Sequence, residues 1–251
     1  MKKIIVLFTL LLAMQHHSQA VAEGLMSNAE FKVRIGYSIG GTAPIGIPAT
    51  IRSIDSYKLT PSFMIGVEGM KTVYSNWGVM IGFHMENKGM DAEATTKAYR
   101  MEVKKGESVM NGLYTGHVKQ KVTEWMFTVP IQATYKLSNR VLLKAGPYLS
   151  LLVNKDFSGY VYDGYLRQGD PTGPKVSMGT EENERATYDF SDDMRNLQMG
   201  IGAGVDWQVH KNIGVSADLN WGLNGIFKKD FKTVEQTLYP IYGTISAFYK
   251  F

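Results

Sequence analysis

The last fifteen residues, Thr237–Phe251, alternate with a period of two. Phe251, Tyr249, Ala247, Ile245, Gly243, Ile241 and Tyr239 form an apolar row with an aromatic at each end. The interleaved row, Lys250, Phe248, Ser246, Thr244, Tyr242 and Pro240, is more polar. Such alternation belongs to a strand whose two faces meet different surroundings. Carried upstream, it predicts eight strands at Ala29–Gly41, Tyr57–Met70, Trp77–Lys88, Lys121–Leu137, Val141–Asn154, Asn196–Val209, Ile213–Asn224 and Thr237–Phe251. Every apolar row falls on odd numbers. Directly paired residues face the same side, so tight turns must hold an odd number of residues. Ser138-Asn139-Arg140 and His210-Lys211-Asn212 fit three-residue hairpin loops, with Asn able to take a left-handed conformation. Pro130 and Pro147 predict a bulge or distorted pairing.

The large aromatics say what the odd face meets. Phe31, Trp77, Tyr135, Trp207, Tyr249 and Phe251 fall near one end of the strands, and Tyr57, Trp125, Trp221 and Tyr239 near the other. From Trp125 to Tyr135 a tilted strand rises roughly 26 Å, close to the ~25 Å lipid band of a membrane barrel. An antiparallel soluble sandwich also alternates, but it does not place aromatics this way. The fold class expected is therefore all-β, a closed antiparallel up-and-down transmembrane β-barrel of eight strands. Connections around 69–76, 138–140 and 210–212 are short, and those around 42–56, 89–120, 155–195 and 225–236 are long. That is the pattern of short periplasmic turns and long extracellular loops. An even strand count puts both termini on the periplasmic side, and closure removes edges that lipid cannot hydrogen-bond.

Two long loops carry structure of their own. Tyr160–Leu166 reads as a ribbon folded at Asp163-Gly164, with a similar turn at Met110–Leu113. From Lys88 to Val122 seven Lys/Arg face four Asp/Glu, a balance of +3. From Lys155 to Arg195 five face nine, a balance of −4. Opposite charge brings the loops together over the barrel mouth, or leaves them separately solvated.

Lys2 and Lys3, the apolar run Ile4–Met14 and the small residues Ala20 and Ala22 form a signal peptide, residues 1–22, cleaved after Ala20 or Ala22. Residues 23–251 are then the barrel domain. With Cys 0, disulfides, thiol catalysis and Cys-based metal sites are excluded. A net charge of +4 gives no reason to expect a nucleic-acid partner.

Phe63–Glu68, Gly82-Phe83 through Lys88-Gly89, Val129-Pro130-Ile131, Ala145–Tyr148 and Gly200–Gly204 resemble the small eight-stranded outer-membrane β-barrels of the PorT-like, outer membrane protein beta-barrel domain family. The resemblance runs from about Phe31 to Phe251. It implies an integral outer-membrane protein with no catalytic set or cofactor, and for PorT-like members a part in protein secretion. Outer-membrane lipid and the barrel-assembly machinery, engaging the C-terminal strand, are the partners expected. An envelope protein or extracellular ligand is expected at the loops.

The lumen row holds Arg34, Glu68, His84, Glu86, Lys144, Asp206 and Asp218, with Lys32, Lys58, Glu124, Gln132 and Asn220. An eight-stranded interior is just wide enough for side chains to fill, so these form a paired polar core. The interface aromatics are Tyr57, Trp77, Trp125, Tyr135, Trp207, Trp221, Tyr239, Tyr249 and Phe251. Gly200, Gly202 and Gly204 leave space for large residues opposite, such as Tyr148 or Arg34. His84 and Glu86 share a face as an acid–base pair would, but no further residue completes a catalytic site. An accessory or binding barrel is the leading function. A narrow transport pore and an enzyme acting on envelope lipid or peptide are the alternatives.

Overall fold

The computed structural model describes residues 29–251 apart from 59, 61 and 235. The signal segment, its cleavage positions and Leu59 lie outside the described residues. Eleven strands follow in order: β1 (Ala29–Pro44), β2 (Ile51–Lys58), β3 (Phe63–Tyr74), β4 (Trp77–Lys105), β5 (Ser108–Lys136), β6 (Val141–Gln168), β7 (Lys175–Met178), β8 (Ala186–Asp189), β9 (Leu197–Gln208), β10 (Ile213–Gly222) and β11 (Leu238–Lys250). Eight of them close an antiparallel ring, β1–β3–β4–β5–β6–β9–β10–β11 and back to β1.

Register defines the ring's shape. Directly paired residues lead from Ile39 through Gly243, Leu219, Ala203, Ala145, Ala133, Val79 and Lys71 back to β1 at Ala29, ten residues from the start. Ten residues at ~3.3 Å against eight strand spacings of ~4.8 Å tilt the strands by about 40°. Odd positions face out: Ile35 is 64% and Ile245 67% exposed, whereas the even-numbered Lys32, Arg34 and Glu68 are buried. A continuous girdle of exposed Ile, Val, Leu and Phe is a surface for lipid, not water.

Two turns keep the parity as expected. Leu137 and Val209 donate backbone hydrogen bonds to Val141 and Ile213, closing three-residue loops at 138–140 and 210–212. Neither Asn139 nor Asn212 uses the left-handed conformation open to it; Ser75, Ala98 and Asp163 are the described non-glycine residues with positive φ. In the first turn Ser138 Oγ accepts from the Arg140 and Val141 amides, so a hydroxyl does the work expected of the asparagine. The third turn holds two residues, Ser75-Asn76, and a register shift between Thr72 and Tyr74 restores the parity. Pro130 and Pro147 produce no bulge. The β4–β5 ladder is interrupted opposite Pro130, and the β5–β6 ladder opposite Pro147, but both resume in the same register.

The second predicted strand divides. Its start belongs to β2, which pairs with β4 at Asp91–Thr96 outside the ring. Tyr57, expected among the interface aromatics, lies on β2 and donates its hydroxyl hydrogen bond to the Gly40 carbonyl. Lys58, expected in the lumen, is exposed.

At the end of the ring away from the termini, the expected long loops continue as strand. β4 and β5 run for 29 residues each and β6 for 28. The β4–β5 turn falls at Gly106-Glu107, with Gly106 at φ 60, so Met110–Leu113 stays within the ladder. Asp163-Gly164 is no hairpin either. The β5–β6 register shifts there, Asp163 takes φ 45, and β6 continues past it. The turn signal was a bulge signal, since both require a left-handed residue. β7 and β8 fold back on β6, with Thr187 reaching Lys104 of β4. The two oppositely charged segments therefore meet through a backbone ladder and an apolar core.

That core makes the protruding strands a folded cap. A register shift beside Trp125 inserts Val153 and reverses the parity of β6, turning Phe157 and Val161 inward. Phe157 packs on Phe227 at 4.8 Å between ring centres, and Phe227 on Phe231 at 4.6 Å. Met101, Val103, Tyr114 and Ile226, each 2% exposed or less, belong to the same cluster. Replacing Phe157 by Ala is expected to weaken the cap by about 3–5 kcal/mol. Amide exchange should then quicken across β7, β8 and the ends of β4–β6, while the ring keeps its heat-modifiable gel migration.

Candidate functional site

Inside the ring, the even-numbered rows converge on one ion network. Lys32 and Arg34 of β1 reach in two directions. Lys32 lies 3.4 Å from Glu68 of β3 and pairs with Asp206 of β9. Arg34 pairs with Glu68 at 2.5 Å and with Asp218 of β10, and donates to Ser246 Oγ at 2.6 Å. Lys144 of β6 bridges Asp206 and Asp218 at 2.8 and 2.9 Å. His84 of β4 sits between Glu68, 3.1 Å from Nε2, and Glu86, 3.8 Å from Nδ1, while Lys88 pairs with Glu86 at 2.6 Å. Of the residues expected in the lumen row, Arg34, Glu68, His84, Glu86, Lys144, Asp206 and Asp218, with Lys32 beside them, therefore lie in one interlocked cluster drawn from six strands. Four carboxylates face three lysines and an arginine, with His84 held between two of the acids.

This network spans the interior from wall to wall. A cavity bounded by Arg34, His84, Glu86, Gln132, Tyr148 and Asp218 measures about 20 Å³, room for about one water. Side chains at Gly200, Gly202 and Gly204 would collide with Tyr148, Asn220 and Asp218 respectively, so the missing Cβ atoms let those groups fit. Tyr148 was the expected neighbour, and Arg34 was not needed. Both ring nitrogens of His84 face carboxylates, which places it in the cluster and away from any surface where a substrate would arrive.

The outward aromatics bracket the girdle. Trp77 packs against Tyr135 in a tilted arrangement, 4.9 Å between ring centres, near the termini end, where Trp207, Tyr249 and Phe251 are also exposed. Trp125 meets Phe63 edge-on at 5.3 Å near the cap end, where Trp221 pairs in register with Ile241 and Tyr239 with Ala43. Among the described residues, no group of three or more His, Asp or Glu side chains is placed to hold a metal.

A second feature went unread in the sequence. Between the top of β1, β2, the β4–β5 ribbon and Leu238 lies a cavity of about 530 Å³, well within the ~300–1,000 Å³ of ligand sites. Met90, Met101, Phe157 and Phe190 form its inner wall, Ile51 and Ile54 its outer one. The signal available was methionine, since Met90, Met101 and Met110 sit in a stretch expected to be one of the long outer loops. β2 closes this cavity and is pinned by Asp55. That carboxylate accepts from Ser53 and Thr95 at 2.6 and 2.7 Å and lies 3.3 Å from His117 Nδ1. His117 stacks on Tyr162, whose hydroxyl donates to Glu93.

The hydrogen bonds from Ser53 and Thr95, together with His117, hold the Asp55 carboxyl below its ordinary value. A carboxyl lowered by folding supports the folded form above its unfolded value, and that support is lost as pH falls through the folded one. The protection factors of the β2 amides, corrected for intrinsic exchange, should therefore fall as pH is taken below about 4, and Asp55→Asn should remove that dependence. In the lumen, Arg34→Met takes the bridging guanidinium from Glu68 and Asp218, leaving Glu68 to Lys32 and His84 and Asp218 to Lys144. A loss of about 3–5 kcal/mol is expected, read by urea unfolding in lipid vesicles, with partial recovery on adding Asp218→Asn.

The model of the "Outer membrane protein beta-barrel domain" family matches residues 15–228. The chain is similar to Ail, the attachment invasion locus protein of Yersinia pestis, at 13% identity and a TM-score of 0.40, over 89% of this chain and 99% of that one. It is similar to Neisserial surface protein A at 12% identity and 0.39, with the same coverage. The outer membrane protein OprG from Pseudomonas aeruginosa matches at 10% identity and 0.32, over 89% and 96%. No curated protein matches.

Proposed function

This chain belongs to the outer membrane protein beta-barrel domain family, and on that premise we propose that it is a sealed binding platform. The ring anchors a folded β-cap in the outer membrane, and the cap engages an envelope protein or an extracellular ligand. Both termini face the periplasm and the cap faces outward, which the short turns at one end and the long ribbons at the other support. The single observation that carries this reading is the interlocked lumen. Its charges cross-link the wall where a pore would need an open path, and the cavity between Arg34, His84 and Asp218 takes a single water. Any part in secretion then belongs to the cap surface as an accessory, since no secreted chain can thread this interior. β11, with its outward aromatics Tyr249 and Phe251, is the segment that the barrel-assembly machinery would engage. The protein acts without catalysis of its own, in keeping with a His84 enclosed by carboxylates.

Purified protein in planar bilayers should show no stable conductance steps; reproducible openings would replace the platform with a pore. Pull-down from gently solubilised outer membranes should recover a stoichiometric partner from the intact protein. That partner should be missing when 90–121 is replaced by a short turn that leaves the ring folded.

A further inference from the structure

We propose that the cavity under the cap takes the hydrocarbon chain of an uncharged, single-chain amphiphile drawn from the outer leaflet. The inference deepens the binding-platform reading and rests on it.

Position is the first argument. Ile39 and Ile241 line the cavity, yet both belong to the outward-facing odd rows, and Ile241 pairs in register with Trp221 of the cap-end aromatic belt. The cavity therefore opens at the level of the membrane interface and runs from the lipid-facing wall to Met90 and Met101, which are 5% and 2% exposed. A chain dissolved in the leaflet reaches it without crossing water. Ile47 and Ile54, 65% and 60% exposed, border the same cavity and extend its apolar surface outward.

The wall chemistry selects the ligand. Among the described residues that line it there is no Lys, Arg or His, so nothing is placed to neutralise a phosphate or an ionised carboxylate. Glu93, the charged group present, already accepts from Tyr162. Two polar groups are left over: Thr42 Oγ1, on a residue 4% exposed, and Gln236 Oε1 have no hydrogen-bond partner. Unpartnered polar atoms beside an apolar cavity suit a hydroxyl-bearing or carbonyl-bearing head that satisfies them. A volume of about 530 Å³ suits one drug-sized ligand, and the two chains of a phospholipid exceed it.

The backbone is shaped for this opening. A side chain at Gly41 would run into Met90 and the Tyr57 hydroxyl, so glycine there lets β2 and β4 close over the cavity while Tyr57 stays bonded to Gly40.

The test uses the full protein in lipid nanodiscs with methyl-labelled methionine. Met85 and Met199 face outward on the girdle, at 37% and 47% exposure, and report any label in the bilayer. Met90 and Met101 report the cavity. A chain-end nitroxide, carried on methyl 16-doxylstearate, otherwise stays near the bilayer centre, away from the cap. The expected result is loss of Met90 and Met101 signal alongside Met85 and Met199. The same label on 16-doxyl phosphatidylcholine should broaden only Met85 and Met199. Ala94→Phe, or Ala92→Phe should the first not fold, fills the cavity and should restore the Met90 and Met101 signals alone. The proposal is overturned if the ester spares Met90 and Met101, if the phospholipid broadens them equally, or if the filled variants still lose signal. Such a failure leaves a non-conducting barrel with a different ligand, whereas channel openings in planar bilayers would remove the platform itself.

Discussion

The structure depends on a rule of pairing: no backbone amide in the girdle can be left to lipid. An open sheet would expose two edges to a solvent without hydrogen bonds, each unmet group costing several kcal/mol. Closing β1 on β11 is the remedy, and closure carries a ten-residue stagger with it. The stagger in turn decides which inward residues meet. Lys32 and Asp206 are 174 positions apart in sequence, Arg34 and Ser246 212 apart, yet each pair touches across the interior. The ion network is thus a product of ring geometry as much as of residue choice.

The ring was legible in the sequence because each of its residues meets one of two contrasting environments. Hydrocarbon on one side and a packed polar interior on the other write a period of two into the chain, and Ile35 beside Arg34 is that contrast at its sharpest. The lumen residues were legible for the same reason, though their partners were not, since partner identity needs the stagger. Beyond Trp125 the contrast ends. There both faces of β4, β5 and β6 meet protein or water, bulges at Val153 and Asp163 reset the parity, and alternation no longer separates strand from loop. Tyr57 shows a subtler failure. It has the right residue type and spacing for the belt, but it stands on a strand that pairs outside the ring.

The two halves of the molecule invert one another. In the ring the apolar residues are outside and the charges inside; in the cap the methionines and phenylalanines are inside and the charges outside. The cavity lies at the seam, where an inside-out body and an ordinary one share a wall. Ile39 and Ile241 belong to the outer surface of the first, Met101 and Phe190 to the core of the second. A seam of this kind is where apolar surfaces of both bodies become continuous without being packed against each other.

The meeting of β1 with β11 also has a bearing on how the chain matures. The first ring strand emerges more than two hundred residues ahead of its final neighbour, so it must wait with one edge unfilled while the rest follows. Until that last segment docks, Lys32 and Arg34 remain hydrated and the interior stays wet. Contacts so distant along the chain form slowly, and drying of the interior is therefore a late and concerted event. A nascent chain stopped short of Leu238 would keep an open edge that lipid cannot satisfy, leaving it to chaperones or proteases in place of a partly working barrel.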